Sequence, residues 1–153
     1  MQFHSCYDSF KLISRQIINI NDETERYIIK PTILLVDDNK AFLQSASNYF
    51  NSQTQFKIVG TALSGEEGLE KYYELKPDIL LLDLSMPGIG GLQVTRLLKS
   101  QNVSVKIVIV TLYDTPEYSN LAKSAGADAF LTKSEFGTKL VPIISNLCKN
   151  QFV

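Results

Sequence analysis

Ile79-Leu80-Leu81-Leu82-Asp83 is the stretch on which the fold turns. Four consecutive apolar residues show no alternation, so a strand built from them is covered on both faces. The carboxylate that follows puts a charge where the strand leaves the interior. Ile33-Leu34-Leu35-Val36 followed by Asp37-Asp38 repeats the arrangement. Val105 to Val110, rich in β-branched residues and followed by Thr111, repeats it again. Phe56 to Gly60 and Ala127 to Leu131 are shorter strand candidates. Runs that are apolar on both faces belong to a parallel sheet with helices on each side.

The segments between these runs carry helix signals. Residues 40–52 set Phe42, Ala46, Tyr49 and Phe50 on one face. Ser64-Gly65-Glu66-Glu67 opens residues 65–75 with a capping box, in which hydroxyl and carboxylate each take a free amide. Residues 92–100 follow Gly90-Gly91. Residues 116–125 open with Thr115 as N-cap and Pro116 at the first helical position, and stop at Gly126. Pro142 would break a helix begun at Ser134, so the last helix is expected from near Thr138, with the proline in its first turn. Five strand–helix units in alternation predict an α/β, doubly wound sheet with helices on both faces.

The 153 residues suffice for one ordinary domain, and 44% hydrophobic against 20% charged marks a folded chain. Net charge is −1, with 4 basic and 4 acidic residues through residue 30 and 11 and 12 beyond it. Neither part has the basic excess of a nucleic-acid binder. Cys6 and Cys148 lie near opposite ends without a C-x-x-C, which argues against a zinc site and fits a reducing compartment. No apolar run approaches the ~18 residues of a membrane helix, and no basic-then-apolar leader opens the chain. A soluble, cytoplasmic protein without membrane partners is expected. Residues 1–30 read as an N-terminal extension to a domain at 31–150. There Phe10, Ile13, Ile17 and Ile20 recur at helical spacing, so either a short helix or a disordered segment is expected. His4, the single histidine, reads as an ordinary surface residue.

In open parallel sheets, sites form at the carboxyl ends of strands, where the winding reverses. Here the first strand ends in Asp37-Asp38, the third in Asp83, the fourth in Thr111, and the fifth runs to Lys133 with Phe130 three residues earlier. Taken singly, an Asp after an apolar run is a cap or turn residue and a lysine is a surface residue. Taken together at four strand ends they form a pattern. Three carboxylates on one rim repel each other, and a hard cation such as Mg²⁺ relieves this. A lysine adds positive charge and Thr111 a hydrogen-bond donor. Two cationic centres and a donor around a nucleophilic carboxylate suit phosphoryl transfer onto that carboxylate.

At this point the chain resembles the receiver (REC) domain of two-component response regulators, the family of the chemotaxis regulator. The matching pieces are Leu35-Val36-Asp37-Asp38-Asn39, Asp83-Leu84-Ser85-Met86-Pro87-Gly88 with Gly90-Gly91, Val110-Thr111, and Ala125-Gly126-Ala127 leading to Phe130-Leu131-Thr132-Lys133. The stretch from Thr111 to Lys133, with Tyr113, Asp114, Pro116, Glu117 and Tyr118, looks like receivers of helix-turn-helix (NarL/FixJ-type) regulators. The resemblance implies a five-stranded, flavodoxin-like sheet in the order 2-1-3-4-5. It implies Asp83 as phosphoacceptor, with Asp38 and Asp83 on Mg²⁺ directly, Asp37 through water, and the Ser85 carbonyl as a further ligand. It implies that Lys133 pairs with phosphoryl oxygens and that Thr111 and Phe130 switch together, altering the face of the fourth helix, fifth strand and fifth helix. Ser85, Leu112 and Tyr113 would border the way to the phosphoryl group. The implied partners are a sensor histidine kinase or phosphotransfer protein, and downstream a target protein or a second copy of the chain.

Two departures stand out. The family has proline after the lysine, joined by a cis peptide, where this chain has Ser134. The residue after the threonine is usually small, and here it is Leu112, a shield against water that predicts a long-lived phosphorylated state. Met86 and Pro87 read as loop residues. Gly88, Gly90 and Gly91 read as sources of turn freedom, and no G-x-x-x-x-G-K-[ST] occurs. Few residues follow the last helix, so no output domain is expected, and the chain acts alone or is a fragment or degenerate copy.

Metal-dependent phosphatases of the haloacid-dehalogenase kind also use an Asp nucleophile, with a second Asp two residues on. Here those positions hold Ser85 and Asn39, which cannot move the proton. The chain is therefore expected to be a switch whose only chemistry is on itself, not an enzyme. The alternative is a pseudo-receiver, a phosphorylation-independent interaction module. A flavodoxin-like flavin binder would need a phosphate-cradling loop after the first strand, and none is present.

Overall fold

The computed structural model describes residues 30–149. Expectations for the first 29 residues, including the helix through Phe10 and Ile20 and the surface reading of His4, lie outside the described residues. So does Cys6. Among the described residues, β1 (Thr32–Val36), β2 (Lys57–Ala62), β3 (Ile79–Leu82), β4 (Lys106–Thr111) and β5 (Ala129–Thr132) alternate with helices. The helices are α1 (Lys40–Asn51), α2 (Gly65–Leu75), α3 (Gly91–Ser100), α4 (Pro116–Ala125) and α5 (Phe136–Cys148). All strand pairs are parallel and the order is β2-β1-β3-β4-β5. The winding reverses between β1 and β3, the two strands that end in carboxylates.

The apolar runs split by parity, as strand geometry requires. Ile33, Leu35, Ile79, Leu81, Val108, Val110 and Leu131 pack with α1 and α5, through Leu43, Ala46, Phe50, Phe136, Leu140 and Ile144. Leu34, Val36, Leu80, Leu82, Ile107 and Ile109 pack with Tyr72 of α2, Val94 and Leu98 of α3, and Ala122 of α4. Two cores thus clamp one sheet, and its carboxyl rim is held rigid from both sides. Edge strand β2 is only partly buried up to Ala62, which explains its weak apolar signal.

Several boundaries differ from expectation for identifiable reasons. The last helix starts at Phe136, after a 3-10 turn over Lys133–Glu135, and Pro142 lies inside it. Phe136, Leu140, Ile144 and Cys148 form a buried stripe at four-residue spacing. Pro142 is exposed, and so is Thr138, whose carbonyl loses its helix partner to the missing amide. On α1 the buried residues are Leu43, Ala46 and Phe50, while Phe42 and Tyr49 flank them, partly buried. Ser64 Oγ accepts from the Glu67 amide at 3.1 Å, but the Glu67 carboxylate takes the Leu63 amide at 2.7 Å, one residue earlier than a capping box places it. Thr115 has the extended N-cap backbone without a side-chain hydrogen bond.

The glycines of the acceptor loop have different reasons. Gly88 has φ +76°, a turn conformation that a side chain disfavours. Gly91 instead permits a close approach: a Cβ there would stand 2.0 Å from the Asp83 carbonyl oxygen.

Candidate functional site

β1 and β3 carry their ladder one residue past the strands. The Asp37 amide donates to the Ala62 carbonyl at 3.0 Å and the Asp83 amide to the Val36 carbonyl at 2.9 Å. The first residues of the rim are therefore fixed by backbone, and their side chains meet across the switch point. Asp37, Asp38 and Asp83 bring one carboxylate oxygen each within 4.8 Å of the others. Asp37 is 2% exposed and Asp83 7%, while Asp38 lies open to solvent.

Lys133 reaches this cluster from the end of β5. Its Nζ lies 2.5 Å from Asp37 Oδ2 and 3.8 Å from Asp83 Oδ1, with the side chain 11% exposed. Asp37 Oδ1 accepts the Asn39 amide at 2.8 Å. Asp37 Oδ2 has no hydrogen-bond donor, because the lysine contact, though short, lacks hydrogen-bond alignment. The Asp83 pKa stands raised from 3.8 to about 6, first by burial and next by the Asp37 carboxylate, with Lys133 opposing and Asp38 adding a smaller push upward. Three carboxylates against one ammonium leave excess negative charge in a half-buried pocket. An aligned donor is missing at one buried oxygen, and a second carboxylate holds its proton unusually well. This donor set is all oxygen and fits a hard divalent cation.

Of the remaining predicted residues, Thr111 ends β4, fully buried, and its Oγ1 accepts from the Tyr113 amide at 3.3 Å. Phe130 sits on β5 opposite Ile109 and packs, partly buried, into the core shared with α2, α3 and α4. It is on the sheet face away from Leu131, not in the acidic pocket. Ser85 is exposed on the loop after β3, and Leu112 is 75% exposed. Tyr113 stacks on Tyr118, with ring centroids 4.7 Å apart.

Two features escaped the sequence reading. The Phe42 ring lies beneath Lys133, with its centroid 4.4 Å from Nζ. Thr132-Lys133-Ser134-Glu135 forms a capping box around the lysine. The Glu135 carboxylate accepts the Thr132 amide at 3.0 Å and lies 3.1 Å from the Thr132 hydroxyl, which also pairs with Ser134 Oγ at 2.8 Å. The T-x-x-E spacing signals this in the sequence itself. No cis peptide bond occurs among the described residues, so the Lys133–Ser134 bond is trans.

The family model for the response regulator receiver domain matches residues 33–145. The chain belongs to that family. It is 37% identical over 112 residues to the response regulator GacA of Pseudomonas viridiflava, covering 73% of this chain and 52% of that one. It is 30% identical over 121 residues to the response regulator protein VraR of Staphylococcus saprophyticus, covering 79% and 58%. The chain thus spans little more than half the length of these relatives. Among solved structures it is similar to the signal receiver domain of NarL from Mycobacterium tuberculosis, with TM-score 0.74, 28% identity, and 78% and 97% coverage. It is also similar to a CheY-like receiver domain protein from Methanospirillum hungatei, with TM-score 0.71, 26% identity, and 80% and 96% coverage. The receiver domain identity and the expected sheet order stand together, and the similar solved structures include regulators of the NarL and LuxR kind. Among the described residues, no helix is long and apolar enough to cross a membrane.

Proposed function

We propose that this receiver domain accepts a phosphoryl group on Asp83 from a phosphohistidine of a sensor kinase or phosphotransfer protein, with Mg²⁺ as cofactor. The observation that carries the reading is the joint placement of Asp37, Asp38, Asp83 and the Lys133 ammonium at the switch point. An Asp83 carboxylate oxygen forms the new P–O bond while the P–N bond of the donor breaks, and the imidazole leaves with the electron pair and takes a proton. Asp38 and Asp83 would hold the cation directly, Asp37 through water, and the Ser85 carbonyl would complete the set. When bound, the cation neutralises charge that develops on the phosphoryl oxygens.

Lys133 contributes a second positive centre. Thr111 donates a hydrogen bond from its hydroxyl to a phosphoryl oxygen, and Phe130 follows it inward, which alters the α4–β5–α5 face read by a target protein or a second copy of the chain. This is a local charge event that biases a two-state element. The chain turns over no other substrate: phosphorylation and its reversal occur on its own side chain. We assign the receiver to residues 31–150, with residues 1–30 as an extension, and place the protein in the cytoplasm with its phosphoryl donor.

The test is intact mass after incubation with Mg²⁺ and acetyl phosphate or phosphoramidate. Wild type gains one phosphoryl group, and Asp83→Asn or omission of Mg²⁺ abolishes the gain. A gain that survives Asp83→Asn would contradict the assignment.

A further inference from the structure

Phe42 lies in the first turn of α1, four residues past Asp38, and the phosphoryl-transfer reading does not use it. Its ring faces the Lys133 ammonium at 4.4 Å from centroid to Nζ. The ring is braced by a second ring. Phe136, the first residue of α5, meets it edge-on at 5.4 Å, and Phe136 is packed in turn by Tyr49 and Phe50. Its backbone is fixed as well, since the Phe42 amide donates to Asn39 Oδ1 at 3.0 Å and the Asn39 amide donates to Asp37 Oδ1 at 2.8 Å. The contacts close a circuit from Asp37 through Asn39, Phe42 and Lys133 back to Asp37.

The negative face of an aromatic ring attracts an ammonium, more strongly where water is excluded. Lysine carries its charge on a flexible four-carbon stem and does not hold one position unaided. Asp37 anchors the ammonium by charge at 2.5 Å, and the ring supplies a neutral second anchor at 4.4 Å. Resting on the reading of Asp83 as acceptor, we propose that Phe42 is the positioning residue for Lys133. Its ring holds the ammonium out of bulk water and within reach of a phosphoryl group on Asp83. An aliphatic side chain at this place fills similar space but lacks the charge distribution, so the effect belongs to the ring and not to its volume.

The test compares Phe42→Leu and Phe42→Tyr by two measurements. The first is the rate of reductive methylation at Lys133, read by peptide mass spectrometry with no phosphoryl donor present. Phe42→Leu methylates about three- to tenfold faster than wild type, the range a cation–π contact supports, and Phe42→Tyr stays close to wild type. Unchanged reactivity in Phe42→Leu overturns the proposal. The second is the rate of phosphorylation by acetyl phosphate with Mg²⁺, in wild-type and Lys133→Ala backgrounds. Phe42→Leu slows the reaction about three- to tenfold beside Lys133 and adds nothing in Lys133→Ala. Equal slowing in both backgrounds makes Phe42 a packing residue only and overturns the proposal. If Phe42→Leu does not fold, Phe42→Met supplies the aliphatic comparison. A wild-type chain that takes up no phosphoryl group strikes the reading of Asp83, and methylation then decides the hold of Phe42 on Lys133 by itself.

Discussion

Lys133 leans toward Asp37, at 2.5 Å, and stands back from Asp83, at 3.8 Å. The lysine thus neutralises the more buried carboxylate and leaves the second one to a proton or a metal. This asymmetry divides the labour of the pocket. Removing the ammonium takes away a competitor of the cation and a stabiliser of the phosphoryl group at once. Lys133→Ala is expected to bind Mg²⁺ several-fold more tightly by calorimetric titration. It should also phosphorylate at least about tenfold more slowly, by the scale of a lost electrostatic contact in phosphoryl transfer. Tighter metal together with undiminished phosphorylation would contradict the role of Lys133.

The raised Asp83 pKa makes metal-free stability depend on pH. The folded state holds the Asp83 proton up to about pH 6, against 3.8 for an ordinary aspartate, so it binds more protons than the unfolded chain between these values. Stability from this group is complete below pH ~4, is lost as pH rises through about 6, and stays lost above. The loss amounts to about 2–3 kcal/mol by linkage. Asp83→Asn should therefore be more stable than wild type at pH 7.5 and not at pH 4, in urea denaturation without metal. Mg²⁺ should raise the wild-type melting temperature above pH 6 and do so less at pH 5, where the proton competes.

Gly91 sets the distance between α3 and the acceptor. A Cβ 2.0 Å from the Asp83 carbonyl oxygen forces that backbone to move. Gly91→Ala should cost about 2 kcal/mol or more in stability and slow phosphorylation as well. Gly137, with nothing within 4 Å of a built Cβ, is the control. Gly137→Ala should be neutral or stabilise by up to about 1 kcal/mol, since it lies in α5 and alanine is the better helix former.

Leu112 is 75% exposed beside Thr111, an unusual position for so apolar a residue. With a phosphoryl group on Asp83, its side chain is expected to hinder attacking water. Leu112→Ala should shorten the lifetime of the phosphorylated protein by about threefold or more, as water exclusion weakens. The decay of phosphoprotein measured by mass decides this, and no acceleration removes the role of Leu112.

Much of the fold was legible because the strands that carry the site are buried on both faces. Ile33 to Val36 and Ile79 to Leu82 are apolar without interruption, so their ends, and with them Asp37, Asp38 and Asp83, could be placed from the apolar runs in the sequence. The helix around Pro142 was not legible. Local proline chemistry argues for a later start, and the buried stripe from Phe136 to Cys148 outweighs it only once the sheet is present. Side-chain geometry was legible in part. The T-x-x-E spacing carries the signal for the turn at Thr132 to Glu135, although a helix start expected near Thr138 passes over it, whereas the ring of Phe42 beneath Lys133 depends on the first turn of α1 meeting the turn after β5, 91 positions apart in the chain counted from residue 42 to residue 133. Glu67 shows the limit within one turn: its carboxylate prefers the Leu63 amide to the neighbouring Ser64 amide, a choice that residue types do not encode.

The most direct measurement is the location of the acyl phosphate. Phosphorylated protein is treated with borohydride, which reduces an aspartyl phosphate to homoserine, and the peptides are then mapped by mass spectrometry. Reduction at residue 83 alone, absent without Mg²⁺, is the predicted result. Reduction at Asp37 or Asp38, or none in a protein that has gained phosphoryl mass, would contradict Asp83 as the acceptor.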